Sequence, residues 1–200
     1  MVRILDGGGS GSVAKVTDEG MIRSYSVIES DFNHHSEAGW AFIVSSGTVT
    51  LTSTSQSAIL YMKNDSDYEL NILTFNIGWN QSIGGTNGAK MVSYLNPTGG
   101  TILDNALPGV GANLNYSSSR EFVGSVYKGV EGDTTIGGSP FGSLYFDTTK
   151  ADFRSIQIPG NIMPKGYSFT FTIIPPAGNT SLEMSFSVRC FYKTRNLGTI

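Results

Sequence analysis

Alternation of apolar and polar side chains in the C-terminal part constrains the fold of this chain more than any other feature. Apolar residues occupy every odd position of residues 167–173 and every even position of residues 182–190. Successive side chains of a strand point to opposite faces of the sheet, so each segment predicts a strand with one buried face. Pro175, Pro176 and Gly178 lie between them and predict a corner.

The same alternation recurs upstream, and it predicts an all-β chain. Short strands separated by turn residues, without helical periodicity, favour an antiparallel β-sandwich of jelly-roll type with long loops. A single helical turn is expected within residues 30–38. The predicted strands are residues 21–29, 39–45, 47–53, 58–63, 68–79, 90–96, 120–128, 143–146, 153–158, 168–174 and 181–193.

Two pairing hypotheses follow from this set of strands. The first and last strands of a jelly roll are often neighbours, so residues 21–29 are expected beside residues 181–193. Asn64-Asp65-Ser66-Asp67 is rich in turn-forming residues, and it predicts the turn of a hairpin. The long, glycine-rich connections within residues 96–142 are expected to form functional surfaces.

The chain is expected to form one domain with a flexible segment at each end. Residues 1–19 form a predicted N-terminal arm or linker, residues 20–193 a single sandwich domain, and residues 194–200 a C-terminal tail. The glycine-rich residues 6–12 have the composition of a flexible linker. They lack the Gly-Lys-Ser/Thr ending of a phosphate-binding loop, and no strand and helix flank them as in a dinucleotide fingerprint.

Composition argues against nucleic-acid and membrane partners. Charged residues make up 14% of the 200 residues and the net charge is −3, against a usual charged share of ~25%. The basic residues are scattered rather than clustered, whereas phosphate binding needs clusters. No apolar run approaches a membrane span and no signal-peptide core follows Met1. We therefore expect synthesis in the cytoplasm, with release, if any, by lysis or assembly.

Residues with catalytic or metal-binding chemistry are few. His34 and His35 are adjacent, which on a strand would send them to opposite faces, and no zinc spacing is matched; an exposed polar loop is expected there. No Gly-x-Ser-x-Gly elbow precedes a predicted helix. Cys190 is the only cysteine and lies on the apolar face of the last strand, so we expect a small buried side chain. The chain is predicted not to be an enzyme, with no catalytic, cofactor-binding or metal-ligating residue.

Two sets of acidic residues leave two other functions open, a calcium site and a glycosidase or lyase activity. Asn64-Asp65-Ser66-Asp67 offers oxygen ligands for calcium, but it lacks the glycine and distal glutamate of a loop site. Carboxylates in predicted loops leave a glycosidase or lyase open, because the fold would set their separation. These carboxylates are Asp104, Glu131, Asp133, Asp147 and Asp152.

Several segments resemble the jelly-roll capsid decoration (cement) proteins of tailed bacteriophages. They are residues 58–64 with the alternating strand through Leu70 and Ile72, residues 129–134, and the closing runs 162–169 and 175–180. The likeness extends over residues 20–193. It implies a non-enzymatic virion protein, made in the host cytoplasm, that forms a homotrimer and binds the major capsid protein on the capsid surface.

Related jelly rolls occur in tails and fibres, so the alternative is a glycan-binding module of a tail fibre or baseplate. Trp79 and Phe141 stand near predicted strand ends beside glycines, and they are the candidates for stacking on sugars.

Apolar residues near both termini are the candidate protein contacts. Such arms add strands to neighbouring sheets through main-chain hydrogen bonds. The predicted contact residues are Val2, Ile4 and Leu5 at one end and Leu197 and Ile200 at the other.

Overall fold

A computed structural model describes residues 15–16, 22–23, 31–86, 88–104 and 107–193. Contacts divide the chain into two units, Met1–Asp31 and Phe32–Ile200. In the first unit, β1 (Lys15–Val16) pairs antiparallel with β2 (Ile22–Arg23). The arm residues Val2, Ile4 and Leu5 and the tail residues Leu197 and Ile200 lie outside the described residues, so the predicted domain limits and arm contacts remain predictions.

The second unit contains two short helices and two antiparallel sheets. The helices are α1 (Asp31–Glu37) and α2 (Thr101–Asp104). The strands are β3 (Ala41–Leu51), β4 (Ser57–Asn64), β5 (Glu69–Trp79), β6 (Ala89–Leu95), β7 (Val110–Asn113), β8 (Gly124–Lys128), β9 (Ser139–Phe146), β10 (Asp152–Met163), β11 (Ser168–Ile174) and β12 (Leu182–Lys193).

The sheet order confirms the predicted jelly-roll sandwich. One sheet has the order β10-β5-β12-β3-β7 and the other β8-β4-β11-β6-β9. Without β7 and β8, the sheets become β10-β5-β12-β3 and β4-β11-β6-β9; each strand is followed along the chain by one in the opposite sheet, except that β6 and β9 are neighbours in the same sheet. This is the arrangement of an eight-stranded jelly roll. The strands β7 and β8 come from the long β6–β9 connection and extend one edge of each sheet.

Alternation in the sequence places the core between the sheets. In β12 the even-numbered residues from Leu182 to Cys190 are buried, while Glu183, Ser185 and Arg189 are exposed. Inner-face rings from both sheets meet there: the Phe75 and Phe171 centroids lie 4.7 Å apart, and those of Phe171 and Phe186 4.1 Å apart. Such aromatic contacts stabilise a core beyond the area they bury.

Two of the predicted connections are wrong. Asn64–Asp67 joins β4 to β5, which belong to different sheets, so this turn is a crossing between layers rather than a hairpin. The last strand β12 pairs with β3 on one side and β5 on the other, which leaves no edge for residues 21–29. The last strand does pair with the first strand of the sandwich, but that first strand is β3 rather than residues 21–29.

Three boundaries also differ from the predictions. The predicted strands 39–45 and 47–53 are one strand, β3, in which the register shifts at Ser46 and Gly47 adopts φ +64°. The strand predicted at 153–158 continues as β10 through a second register shift to Met163. Part of the expected functional loop 96–142 instead forms α2 and β7, whereas the strand predicted at residues 120–128 is confirmed as β8. The predicted helical turn within residues 30–38 is confirmed as α1.

One edge of the sandwich is closed by hydrogen bonds; we call β7, β8 and residues 107–109 the closed edge. Pro108 forms an isolated bridge with Tyr127. The Gly109 N–H donates to the Val126 carbonyl at 2.9 Å, and the Lys128 N–H donates to the Leu107 carbonyl at 3.0 Å. The chain therefore continues from one sheet to the other at this edge.

The opposite edge is open; we call β9 and β10 the open edge. Each is the outermost strand of its own sheet. In the described part of the chain, no strand pairing joins β9 to β10. The two sheets thus separate here, and the unpaired sides of both strands face outward.

Candidate interaction surface

The open edge exposes large apolar side chains. Tyr145 is 67% exposed and Phe153 62%, while Phe141 and Tyr167 are each 45% exposed. All but Tyr167 belong to β9 or β10, and Tyr167 follows β10 in the turn before β11. The four rings do not form one patch. Tyr145 pairs with Lys90 and Phe153 with Gly78, so these two rings lie on the outer faces of opposite sheets, whereas Phe141 and Tyr167 line the same groove.

A groove runs between the sheets at this edge and reaches the core. It has a volume of about 360 Å³, and its walls include the buried rings of Phe75 and Phe169. Phe141 and Tyr167 line it from the exposed side. The groove therefore ends on core rings that are themselves almost fully covered.

The two strands of the open edge carry few charges. Residues 139–146 contain no Asp, Glu, Lys or Arg, and neither do residues 155–164. The charges nearest in sequence lie around the β9–β10 turn, at Asp147, Lys150, Asp152 and Arg154, and the Lys90 ammonium on β6 lies 5.3 Å from the Tyr145 ring centroid. Charge depletion together with exposed aromatics is the composition of the core of a protein–protein interface.

The two sugar-stacking candidates differ in accessibility. Trp79 is only 4% exposed, its ring lies 4.7 Å from that of Phe146, and its Nε1–H donates to the Asp147 carbonyl at 2.9 Å. This burial argues against a stacking role for Trp79, because a sugar needs a free ring face. Phe141 is accessible at the mouth of the groove. The sequence could not separate the two, since both stand near strand ends.

Two of the candidate carboxylates, Glu131 and Asp133 in the β8–β9 connection, accept hydrogen bonds that join this connection to other segments of the chain. Glu131 accepts hydrogen bonds from the Thr52 and Ser53 N–H groups at 2.7 and 2.6 Å and from the Thr52 hydroxyl at 2.7 Å. These bonds hold the pKa of Glu131 below its ordinary value. Asp133 accepts from the Val130 N–H at 2.8 Å and the Thr101 hydroxyl at 3.0 Å. Both residues therefore anchor the connection to the β3–β4 turn and to α2.

The other loop carboxylates make local contacts. Asp147 accepts from the N–H and hydroxyl of Thr149, and these bonds lower the pKa of Asp147. Asp152 accepts from the Phe153 N–H at 2.8 Å. Asp104 ends α2. The structure brings Glu131 and Asp133 into one turn and places Asp147 and Asp152 at the two ends of another.

The side-chain oxygens that were candidate calcium ligands form hydrogen bonds or ion pairs with other groups of the protein. The Asn64 Oδ1 accepts from the Ser66 N–H at 3.0 Å. Asp65 forms an ion pair with Lys63 at 2.7 Å, and Asp67 one with Lys165 at 2.6 Å. Among the described residues, no group of three or more His, Cys, Asp and Glu side chains has the arrangement of a metal site.

The histidines belong to α1, and the cysteine belongs to β12. His34 and His35 belong to α1 rather than to a loop, and the His35 ring lies 4.6 Å from that of Phe191 on β12. Cys190 is buried, as predicted, and burial raises the pKa of its thiol. A thiol whose pKa is raised is a poor nucleophile at neutral pH.

Comparison with known proteins provides no assignment. No family model matches the chain, and no curated protein matches it. Neither helix in the described ranges is long and apolar enough to cross a membrane.

Sequence reasoning identified Phe141 but missed the open edge as a whole. The charge-free residues 139–146 and 155–164 were the signal that could have identified it.

Proposed function

We propose that this chain is a structural virion protein that decorates and stabilises a tailed-phage capsid by binding the major capsid protein lattice as an oligomer. The observation that carries the proposal is the open edge of the jelly-roll sandwich, where the exposed rings of Phe141 and Tyr167 line a groove between the sheets. The sequence resemblance to cement proteins is the reason for proposing a phage capsid as the binding partner.

A surface poor in charge is physically suited to binding a repeating capsid lattice. An oligomer that engages several equivalent capsid sites gains effective concentration, so each contact needs only modest affinity. Burying an unpaired charge is costly, and a surface poor in charge avoids much of that cost on docking. The closed edge and the packed aromatic core keep the subunit rigid, which preserves the geometry that simultaneous contacts require.

The terminal arms are proposed to add further capsid contacts to those of the open edge. Val2, Ile4 and Leu5 at one end, and Leu197 and Ile200 at the other, are apolar anchors in segments that can extend to a neighbour. Strand addition by such arms provides main-chain hydrogen bonds without requiring a preformed pocket.

A co-sedimentation experiment tests the proposal. The full-length protein is mixed with phage heads from which the decoration layer has been stripped, and bound protein is measured after centrifugation. We expect saturable binding with a fixed ratio to the major capsid protein. Binding should weaken only slightly between low and high salt, because the proposed contacts are uncharged. Absence of binding to such heads would refute capsid decoration.

Truncation tests the arms separately. Deletion of residues 1–12 is expected to leave the unfolding midpoint of the sandwich unchanged while lowering capsid occupancy. Unchanged occupancy would show that the N-terminal arm has no part in binding.

The second candidate function is glycan binding by a tail fibre or baseplate module. The exposed rings of Phe141 and Tyr167 beside the groove favour it, because sugars stack on accessible aromatic faces. A glycan array with the full-length protein, repeated with Phe141→Ala, distinguishes the two functions. Binding that Phe141→Ala abolishes supports the glycan function, and the absence of binding on the array excludes the tested glycans as ligands.

A further inference from the structure

We infer that a neutral saccharide binds in a cleft between the β4–β5 turn and the segment that precedes β8. The cleft has a volume of about 390 Å³, and its aromatic and charged lining residues are Trp40, Asp65, Asp67, Tyr68, Arg120 and Glu121. None of them lines the groove of the open edge. The inference deepens the second candidate function, on which its biological role rests, by naming another site and a class of ligand.

Arg120 supplies the hydrogen-bond donors of the cleft. Its guanidinium lies over the Trp40 ring, with the central carbon 3.9 Å from the ring centroid. Stacking on an aromatic face holds a guanidinium in place and leaves the N–H groups at its edge available to donate. In the part of the chain that the structure describes, these N–H groups have no hydrogen-bond or ion-pair acceptor. Arg120 therefore offers positioned donors to a ligand.

Three carboxylates supply the acceptors. Asp65 pairs with Lys63 at 2.7 Å and Asp67 with Lys165 at 2.6 Å, and the Asp67 side chain remains 84% exposed. A carboxylate has about four acceptor sites, so a single lysine leaves others for hydroxyl groups of a ligand. The Glu121 carboxylate has no hydrogen-bond or ion-pair partner among the described residues. The cleft thus contains both donors and acceptors.

The balance of charge selects a neutral ligand. Lys63 and Lys165 offset Asp65 and Asp67, and Arg120 offsets Glu121. A phosphate or another anion would meet the carboxylates, and a cation would meet the guanidinium and the lysines; like charges brought together are costly. A neutral molecule rich in hydroxyl groups can donate to the carboxylates and accept from Arg120. Saccharides have this chemistry.

The size and the aromatic lining of the cleft also suit a sugar. Small-molecule sites have volumes of about 300–1,000 Å³, so this cleft fits a mono- or disaccharide. Tyr68 is 42% exposed, and its ring centroid lies 5.2 Å from that of Trp40. The C–H face of a sugar packs on such exposed rings. The groove beside Phe141 has no charged residue in its lining, so it offers fewer partners for sugar hydroxyls.

Hydrogen bonds from two asparagines hold the walls of the cleft in place. The Asn64 side-chain amide donates to the Tyr68 carbonyl at 2.8 Å. On the other wall, the Asn113 side-chain amide donates to the Arg120 carbonyl at 3.0 Å. Both bonds fix the backbone from which a lining side chain extends. A site that is already ordered loses less freedom when its ligand binds.

A glycan array with the full-length protein tests the ligand class. The array carries neutral oligosaccharides together with acidic and phosphorylated ones, and calorimetric titration measures the affinity of the best-bound saccharide. We expect binding to neutral saccharides, with an affinity that changes little between low and high salt. Absence of binding to every neutral saccharide would overturn the inference, and so would a preference for the acidic or phosphorylated ones.

Substitution of Arg120 tests the site. Arg120→Met removes the donors but keeps a side chain that packs on Trp40, and binding should weaken at least about tenfold, as expected for lost charge-assisted hydrogen bonds. Arg154→Met is the matched control, because the Arg154 guanidinium lies 5.8 Å from the Trp79 ring centroid, outside the cleft. Unchanged binding by Arg120→Met, or equal weakening by the control, would overturn the inference.

A second variant guards against loss of the fold. Thermal unfolding checks each protein, and Glu121→Ala changes an exposed side chain whose carboxylate has no partner in the described ranges. We expect weaker saccharide binding with an unchanged unfolding midpoint. If Arg120→Met does not fold, undiminished binding by Glu121→Ala would overturn the inference.

The outcomes are separable from those for the proposed functions. Array binding that is lost in Phe141→Ala but retained in Arg120→Met would support the glycan function and refute the cleft as its site. Binding to stripped heads without any binding on the array would support capsid decoration and refute the saccharide site. Loss of head binding in Arg120→Met, again without saccharide binding, would assign the cleft to a protein contact and overturn the inference.

Discussion

The closed and open edges of the sandwich differ in what covers their strands. At the closed edge the chain's own backbone pairs with β3 and β4, whereas no described strand pairs with the outer sides of β9 and β10. At the closed edge, backbone segments approach so closely that side chains are excluded: a Cβ added to Gly129 would lie 1.8 Å from the Ala58 carbonyl oxygen, and one on Gly124 2.2 Å from that of Lys63. At the open edge, a Cβ added to Gly142 would meet nothing within 4 Å. One edge is packed by the chain itself, whereas the other leaves space.

This difference shows what the long β6–β9 connection does. It contributes β7 and β8, and so it covers the unpaired sides of β3 and β4 with its own backbone. The short β9–β10 turn cannot do the same for the opposite edge. Edge strands left uncovered are usually protected by charges or bulges. Residues 139–146 carry no charge, but the pairing of β9 with β6 and that of β10 with β5 each contain a register shift. The open edge is therefore interrupted by irregular pairing rather than covered by the chain's own backbone.

The largest effect is expected from filling the closed edge. Gly129→Ala should destabilise the fold by about 2–3 kcal/mol, because the new methyl group collides with the backbone of β4 and one strand must move. Denaturant unfolding monitored by tryptophan fluorescence measures the change. A loss below 0.5 kcal/mol, about the level of a neutral surface change, would mean that the closed edge is loosely packed.

A smaller loss is expected from the hydroxyl that ties the last strand to the closed edge. The Tyr192 hydroxyl donates to the Val123 carbonyl at 2.7 Å and accepts from the Val123 N–H at 3.1 Å. Tyr192→Phe removes both bonds and should cost about 1–2 kcal/mol. Hydrogen exchange should also accelerate at the Val123 amide. Unchanged exchange there would contradict a role for this hydroxyl in closing the edge.

An acid-dependent effect is expected where the β8–β9 connection meets the β3–β4 turn. The pKa of Glu131 is lowered in the folded state, so its stabilisation is present above the unfolded pKa near ~4.3. It is lost as pH falls through the folded pKa. The difference in unfolding free energy between the unmodified protein and Glu131→Gln should therefore be at most about 1 kcal/mol at neutral pH, given solvent screening, and should vanish in acid.

Asp147→Asn is the control for Glu131→Gln. Asp147 accepts its bonds from Thr149 within the same turn of the open edge, so these local bonds add little to the joining of distant strands. An acid dependence as large for Asp147→Asn as for Glu131→Gln would remove the distinction between the two edges.

The smallest effect is expected from filling the open edge. Gly142→Ala should change the unfolding free energy by less than about 0.5 kcal/mol, since the added methyl group meets no atom and its backbone needs no positive φ. Unfolding experiments identical to those for Gly129→Ala make the two substitutions a matched pair. A large destabilisation by Gly142→Ala would show that the open edge is already tightly packed within one subunit.

Local pattern determined most of the strands, their buried faces and the sandwich class, but it missed β7 and divided β3 in two. The alternation in residues 182–190 assigned the buried and exposed sides of β12 correctly, and it placed Cys190 in the core, because side-chain direction in a strand depends only on position parity. The same local rules indicated α1 and the corner at Pro175 and Pro176.

Tertiary structure alone decided which strands are neighbours and which surfaces remain uncovered. Turn residues at Asn64–Asp67 signal a reversal, but they do not say whether the next strand joins the same sheet or the opposite one. Trp79 and Phe141 have similar sequence surroundings, yet one is buried and the other exposed, because burial depends on residues distant in sequence. The open edge exists for the same reason: β9 and β10 are edge strands only because β5 and β6 pair with them on a single side.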